Sequence, residues 1–218
     1  MKSEKISQDL LEAFYKVGKL RCFDPGQTIY YQQDYGNTFY YIIKGRVRAY
    51  ILNQNGKVVT LDVIGEGKIL GASDLFLGGL HTSNIEAVND VKILEFDLEQ
   101  LLPYLSKSPQ SYLQIIAFLS ESLKALSNQI RRLSLLDAQA KIVDFLLEKT
   151  ASPHPSLDIT NSQIPYSHED IAQSCSLQRV TVSKKLKEME RFGWIELDYR
   201  SIKIKDRKAL EKYVRSHL

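Results

Sequence analysis

Glycine is distributed very unevenly along this chain of 218 residues. Ten of its 11 glycines lie between Gly18 and Gly79, and only Gly193 follows them. Because glycine turns the backbone at the least steric cost and weakens helices, the first part must change direction often, whereas the rest can form long helices. The chain is therefore predicted to have a β-rich first part and a helical second part.

The glycine-rich part alternates short runs of β-branched and aromatic residues with turn-forming segments. Strands are predicted at residues 28–31, 38–43, 47–52, 58–64 and 91–96. Short strands at regular spacing indicate a compact antiparallel roll or barrel. Residues 71–83 form a polar, glycine-rich insertion that packing alone does not require.

A long helix is predicted to begin at Pro109. Six of its apolar residues follow a 3-4-3-4-3 spacing: Ile116, Leu119, Leu123, Leu126, Ile130 and Leu133. This repeat of 3.5 residues is typical of a seam with a second helix, and Ile at two a positions with Leu at every d position favours two parallel strands. A helix that only covers its own roll remains the alternative, but it does not need so strict a repeat. We therefore predict a dimerisation helix over residues 109–136.

The positions beside this seam carry no charged pairs; they are Ser120, Ser122, Ser127, Gln129 and Ser134. We therefore expect the seam to change its packing easily, because no ion pairs hold one register. Asp137 can cap a further helix, which predicts the end of the seam and a hinge at residues 135–137.

Two short helices are predicted farther along the chain. Ser167-His-Glu-Asp170 resembles a capping box that opens the first. In the second, which runs from Arg179 to Phe192, one face is apolar and the opposite face is predicted to be exposed; the exposed residues are Arg179, Val180, Ser183, Lys184 and Lys187. Two helices joined by a short turn, with a basic outer face, are typical of a protein that reads the DNA major groove.

A hairpin is predicted to follow over residues 194–205, and a helix-turn-helix with a hairpin is a winged helix. Arg200 and Lys203 on this wing are candidate phosphate contacts. Residues 179–191 hold five basic and two acidic side chains, a local charge of +3 that equals the formal charge of the whole chain. The protein therefore cannot rely on bulk electrostatic attraction to DNA.

Together, these segments resemble the cAMP receptor protein/fumarate-nitrate regulator family. The motifs are Phe39-Tyr-Tyr-Ile-Ile-Lys-Gly-Arg-Val-Arg48, Gly71-Ala-Ser-Asp-Leu-Phe76, a long helix ending in Leu135-Leu-Asp137, and the winged helix. The resemblance implies an α+β fold: an antiparallel β-roll like that of cyclic-nucleotide-binding domains at residues 1–108, the dimerisation helix at 109–136 and a winged helix-turn-helix at 137–218. It also implies a homodimeric transcription factor that binds a palindromic operator in double-stranded DNA and RNA polymerase; activation is the family's commoner outcome.

The family's effector pocket lies between the roll and the long helix. Its matching positions here are Gly71, Ala72, Ser73, Thr82, Ser83 and Ser127. Cyclic-nucleotide binders of the family carry Glu where this chain has Ala72 and Arg where it has Thr82; without that cation a buried phosphate loses about 1.5–3 kcal/mol. We therefore expect a small-molecule effector other than cAMP. The alternative is an effector-independent regulator whose pocket is vestigial.

The recognition helix also departs from the family. Relatives that read a G·C pair carry Glu where this chain has Val180, and valine makes only apolar contact, for example with a thymine methyl. The run Val180-Thr-Val-Ser183 is similar to that of halorespiration regulators that sense chlorinated phenols. We assign Arg179 and Lys184 to base edges or nearby phosphates, Ser183 to a phosphate or base, Thr181 to the backbone near the first turn, and Lys187 to phosphates.

Several other classes of protein are excluded by composition. No apolar run approaches the roughly 20 residues of a membrane span, and residues 1–16 have no signal-peptide core, so we expect a cytoplasmic protein without a membrane partner. Cys22 and Cys175 cannot supply the four ligands of an iron–sulfur cluster, and we expect both thiols to be free and at least half-buried. His81 is expected to be solvated, so neither haem nor another metal is predicted. A cupin-like enzyme built on the roll remains a remote alternative.

Overall fold

The computed structural model describes residues 6–72, 79–106, 108–151, 163–198 and 201–217. The chain separates into two compact units, one ending at Ser127 and the other beginning at Asn128. Antiparallel sheets dominate the first unit and helices the second, which confirms the predicted α+β class.

The first unit begins with helix α1 (Gln8–Val17). Its strands are β1 (Lys19–Phe23), β2 (Thr28–Tyr30), β3 (Thr38–Lys44), β4 (Val47–Leu52), β5 (Val58–Ile64), β6 (Ile69–Leu70), β7 (Asn84–Ala87) and β8 (Val91–Asp97). They form two four-stranded sheets, with strand orders β1-β8-β3-β6 and β2-β7-β4-β5, in which neighbours are antiparallel. This arrangement confirms the predicted roll.

The five predicted strands are present, and β4 and β5 have the predicted bounds. Strands β1, β6 and β7 were not predicted. β6 has two residues and β7 has four, so their sequences are too short to show a clear period. β1 is exposed along most of its length, so it has no buried face of the kind that marks a strand of the core.

Two apolar clusters fill the roll. In the first, Phe14 of α1 stacks on Phe96 of β8, with 4.7 Å between ring centroids, and lies 5.2 Å from Tyr41. The second is formed largely by aliphatic residues between the sheets, among them Ile42, Val47, Ile85, Val91 and Ile93. The amino-terminal helix is therefore part of the core of the roll.

Helices α2 (Leu98–Leu105) and α3 (Pro109–Leu135) follow the roll. The buried face of α3 carries Ser111, Gln114 and Ile115, and Phe118 packs against the first cluster. The side-chain oxygen of Gln114 accepts a hydrogen bond from the backbone of Ser7 (3.0 Å). Leu119 of the predicted seam also packs against the first cluster, so the face that contacts the roll overlaps the seam at this residue.

The second unit contains α4 (Ala138–Ala151), β9 (Gln163–Ile164), α5 (His168–Cys175), α6 (Arg179–Arg191), β10 (Ile195–Asp198), β11 (Ser201–Ile204) and α7 (Arg207–Arg215). Strands β10 and β11 form the predicted hairpin, and β9 pairs with β11 as a third strand. Asp137 accepts a hydrogen bond from the backbone of Ala140 (2.7 Å), as expected of a cap. Helix α7 was not predicted.

Gly45 provides a test of the roll. It turns the chain between β3 and β4 with φ of +94°, and a Cβ there would lie 2.3 Å from the carbonyl oxygen of Asp90. Gly56 also has a positive φ, of +77°, but a Cβ there would have no atom within 4 Å. We expect Gly56→Ala to lower the free energy of unfolding by about 1 kcal/mol and Gly45→Ala by about 3 kcal/mol or more, measured by urea denaturation. Equal losses in the two variants would contradict this account.

Candidate nucleic-acid interface and effector site

A capping box fixes the start of α5. The hydroxyl of Ser167 accepts a hydrogen bond from the backbone of Asp170 (3.1 Å), and the Asp170 carboxylate accepts one from the backbone of Ser167 (2.8 Å). The helix ends at Ser176, which adopts the left-handed conformation (φ +52°), and the backbone of Leu177 donates to the carbonyl of Ala172 (2.9 Å). Both ends of the first helix are therefore held by hydrogen bonds, which defines the turn into α6.

Helix α6 has the two faces that its sequence predicts. Val182, Leu186 and Met189 are fully buried in the core of the second unit. The opposite face carries the predicted DNA contacts: Arg179, Val180, Lys184 and Lys187 are exposed, and Thr181 and Ser183 are half-buried. The side chain of Val180 is 78% exposed and therefore available for contact with DNA.

His168 on α5 contacts this face, although it was not predicted as a site residue. Its Nδ1 lies 2.9 Å from the hydroxyl oxygen of Ser183. Burial lowers the pKa of His168, and the positive charges of Arg179 and Lys187 lower it further. The contact joins residues 15 positions apart on two helices, so no local pattern could have indicated it.

The wing lies beside the end of α6. Lys203 on β11 is half-buried and pairs in register with Glu196 on β10. Glu196 also forms an ion pair with Lys205 (2.7 Å), and this hydrogen bond lowers the pKa of the Glu196 carboxyl. The side chain of Glu190 accepts a hydrogen bond from the backbone of Leu197 (2.9 Å), which ties the wing to α6. Arg200 lies outside the described residues.

Two of the predicted effector residues lie next to a buried histidine. Gly71 and Ala72 are buried, and a Cβ at Gly71 would lie 3.8 Å from the His81 ring. His81 is 3% exposed and stacks on Tyr30, with 3.8 Å between ring centroids. The prediction that His81 is solvated is wrong: its ring stacks on Tyr30, and its backbone bonds to Asp34 and Gln33.

The other predicted effector residues are less enclosed. Thr82 is exposed and Ser83 is half-buried. Ser127 is exposed, and its hydroxyl donates to the carbonyl of Leu123 in its own helix (3.0 Å). Ser73 lies outside the described residues. The roll therefore brings Gly71 close to His81 and places Ala72 in the first apolar cluster, whereas the hydroxyl of Ser127 is directed at the backbone of its own helix.

The cysteines differ in environment. Cys175 is buried, as predicted, and burial raises the pKa of its thiol to about 12. Cys22 is exposed, so the prediction for this residue is wrong; it lies on β1, whose side chains are largely exposed. Within the described parts of the chain, no group of three or more His, Cys, Asp or Glu residues is arranged to hold a metal ion. None of the described helices is both long and apolar enough to cross a membrane.

The environment of His168 predicts a pH effect on stability. Because the folded unit lowers the pKa of His168, the unfolded chain binds more protons than the folded chain as the pH falls below the ordinary histidine pKa. The stabilisation that is present above this pKa is then lost. We expect His168→Gln to lose less stability than the wild type between about pH 7.5 and pH 5, measured by urea denaturation. Ser183→Ala, which keeps the burial and both cations, should retain most of the wild-type pH dependence. The same pH dependence in His168→Gln and the wild type would contradict this assignment.

Comparison with known proteins gives matches along most of the chain. A family model for the cyclic nucleotide-binding domain matches residues 20–108, and a model for the Crp-like helix-turn-helix domain matches residues 140–213. The chain is 25% identical over 197 residues to the CRP-like cAMP-activated global transcriptional regulator of Mycobacterium tuberculosis (strain CDC 1551 / Oshkosh), covering 88% of this chain and 87% of that protein. It is 26% identical over 181 residues to the cAMP-activated global transcriptional regulator CRP of Pasteurella multocida (strain Pm70), covering 83% and 87%.

Among solved structures, FixK2 from Bradyrhizobium japonicum matches with a TM-score of 0.77 over 90% of this chain and 96% of that one. At 21% identity this similarity shows a shared fold. The two family models cover the roll and the helix-turn-helix, in the order that the structure has them. With a β-roll, a long helix and a helix-turn-helix in this order, and with transcription regulators as its relatives, the chain belongs to the cAMP receptor protein/fumarate-nitrate regulator family of DNA-binding transcription regulators.

Proposed function

We propose that this protein is a homodimeric, sequence-specific regulator of transcription that a small molecule other than cAMP controls. The observation that carries the DNA-binding part is the outer face of α6. There an exposed valine stands among exposed basic side chains, while the opposite face is anchored in the core of the second unit. Such a helix presents base-reading and phosphate-binding groups to a major groove.

Dimerisation is supported by the apolar stripe on α3. Four of the six seam residues are 40% to 67% exposed in the single chain: Ile116, Leu123, Leu126 and Ile130. Leu119 packs against the roll, and Leu133 is half-buried. Fully burying a side chain of this size stabilises by roughly 1.5–3 kcal/mol, so a second copy aligned along the stripe gains enough to hold a dimer.

A dimer also explains how a weakly charged protein selects its site. Two recognition helices held one turn of DNA apart, about 34 Å, contact two half-sites at once. The palindrome then supplies the specificity that a net charge of +3 cannot. We propose that the protein acts in the cytoplasm and that, together with RNA polymerase, it raises transcription.

The effector proposal is supported by the residues of the roll. The relatives named above are described as cAMP-activated. In this chain Ala72 and the exposed Thr82 stand where cyclic-nucleotide binders of the family carry Glu and Arg. Neither alanine nor threonine can neutralise a phosphate.

A second candidate is a regulator whose activity needs no effector. The observation in its favour is that the hydroxyl of Ser127 bonds to its own helix. A thermal-shift screen separates the two candidates. A compound that raises the melting temperature and also changes operator affinity supports control by an effector, whereas compounds that do neither support the second candidate.

The first test is selection of binding sequences from a random pool of DNA duplexes, together with sedimentation of the free protein. We expect the wild type to sediment as a dimer and to select a palindrome with half-sites about 34 Å apart. Val180→Glu should change the preferred base at one pair in each half-site by roughly 1–3 kcal/mol, because glutamate accepts a hydrogen bond from cytosine N4.

Lys187→Ala is the matched control on the same face. If Lys187 contacts phosphate only, its loss should weaken all sequences alike and lower the salt dependence by about one unit per half-site, with preference unchanged. An unchanged preference in Val180→Glu would overturn the role of Val180. A wild type that is a monomer in every condition, or that selects no sequence, would overturn the proposed function.

Titration calorimetry tests the exclusion of cAMP. We expect the wild type to show no binding at micromolar cAMP. Ala72→Glu combined with Thr82→Arg should raise cAMP affinity by about tenfold or more, because a charge-assisted hydrogen bond contributes roughly 1.5–3 kcal/mol. Micromolar binding by the wild type that also tightens operator affinity would refute the exclusion.

A further inference from the structure

The last two turns of α3 carry two different sets of side chains. Ile130 and Leu133 belong to the apolar stripe that we assign to the dimer seam. Their neighbours Gln129 and Arg132 are both buried in the second unit, with Arg132 only 5% exposed. A polar side chain and a charged one at these positions therefore face the DNA-binding unit from the same two turns that carry the end of the seam.

Arg132 is held by two carboxylates of α4. Its Nε donates to Asp144 (3.1 Å), and an Nη donates to Glu148 in a short hydrogen bond. Arg131 also donates to Asp144 (2.7 Å). Burial acts to lower the pKa of Arg132, but Glu148, Cys175 and Asp144 raise it, and the net pKa is raised. The guanidinium therefore stays charged, and its position relative to α4 is fixed by geometry as well as by charge.

Gln129 extends this cluster to the helix-turn-helix. Its side-chain oxygen accepts a hydrogen bond from Arg132 (2.8 Å), and its Nε2 donates to the backbone carbonyl of Ser174 (3.1 Å). Ser174 lies in the last turn of α5, where carbonyls lack partners within the helix. The backbone groups of Ser176 and Leu177 bond the two preceding carbonyls. Gln129 thus caps the carboxyl end of α5 at the turn that leads into the recognition helix.

The connection between α3 and α4 is also anchored. Leu136 is buried, and Asp137 accepts backbone hydrogen bonds from Ala140 and Lys141 at 2.7 Å and 2.9 Å. The segment from Asn128 to the end of α3 belongs to the same compact unit as the helix-turn-helix. Ion pairs therefore link α3 to α4 across the break at residues 135–137, and hydrogen bonds hold the start of α4.

We propose that Gln129, oriented by Arg132, is a positioning residue that fixes the recognition helix to the end of the dimerisation helix. Residues 128–135 then move with the helix-turn-helix as one body. The inference rests on the proposed function, since it gives the dimer seam its connection to DNA.

This connection lets the dimer seam control DNA binding. A helical turn is rigid, so any rotation of Ile130 and Leu133 carries Gln129 and Arg132 with it. Because Gln129 bonds the last turn of α5, the rotation is passed to α5 and, through the short turn that follows it, to the recognition helix. The distance between the two recognition helices of the dimer is therefore set by the same two helical turns that close the seam.

The test compares binding to a full palindrome with binding to a single half-site, using the duplex that the selection above recovers. The variants are Gln129→Leu, which removes the whole amide, and Gln129→Glu, which keeps an acceptor for Arg132 but cannot donate to Ser174. Both leave the ion pairs of Arg132 in place. We expect both to lower the preference for the palindrome over the half-site by about tenfold. A loosely held second helix-turn-helix has a lower effective concentration at the second half-site. Half-site affinity and dimerisation should remain those of the wild type.

Gln114→Leu is the matched control, because Gln114 is also a buried glutamine of α3 but bonds the backbone of Ser7 in the roll. It should keep the wild-type preference for the palindrome, so a merely structural loss of a buried amide is distinguished from a lost connection. Wild-type preference in both Gln129 variants would overturn the inference and leave the proposed function intact. If the wild type itself does not prefer the palindrome over the half-site, both fall together.

Discussion

Helix α3 has to satisfy two unlike surfaces at once, and the rest of the molecule depends on this. Ile115 and Phe118 pack on the roll, while Ile116, Leu123 and Ile130 remain on an exposed face. With 27 residues at 1.5 Å each, the helix is about 40 Å long. Exposed apolar side chains along this length are costly to leave in water, which favours the proposed dimer.

The DNA-binding unit depends on local geometry more than on charge. The capping box at Ser167 and the left-handed Ser176 define both ends of α5. The fully buried residues Val182, Leu186 and Met189 then leave α6 with only one face for DNA. A formal charge of +3 contributes little long-range attraction, which makes the rigid placement of this face the main source of selectivity.

The roll has the fold of a cyclic-nucleotide-binding domain, and we propose that its effector site lacks the Glu and Arg of the family's cyclic-nucleotide binders. Gly71 has φ of +78°, and a Cβ there would lie 2.7 Å from the carbonyl oxygen of Thr38, so glycine is required by the backbone rather than by a ligand. Beside it, Ala72 belongs to the first apolar cluster, and the buried ring of His81 stacks on Tyr30. The proposal of an effector other than cAMP depends on the absence of Glu and Arg at positions 72 and 82.

Short-range periodicity in the sequence was sufficient to predict many of the helices and strands of this protein. It predicted the bounds of β4 and β5, a break after α3 near residues 135–137 and the two faces of α6, because hydrophobic alternation and capping are properties of residues a few positions apart. It also led to the family. Only the tertiary structure decided the burial of His81, the exposure of Cys22 and the contact of His168 with Ser183.

The hydrogen bond from Gln129 to Ser174 was also decided only by the tertiary structure, because it joins residues 45 positions apart. At the level of sequence, Gln129 was one uncharged side chain beside a seam. Its role depends on which carbonyl of α5 comes within hydrogen-bonding distance once the helices have packed. Local patterns therefore determined the elements and the class of protein, whereas long-range packing decided which polar groups meet, because no repeat in the chain encodes the partner of a buried side chain.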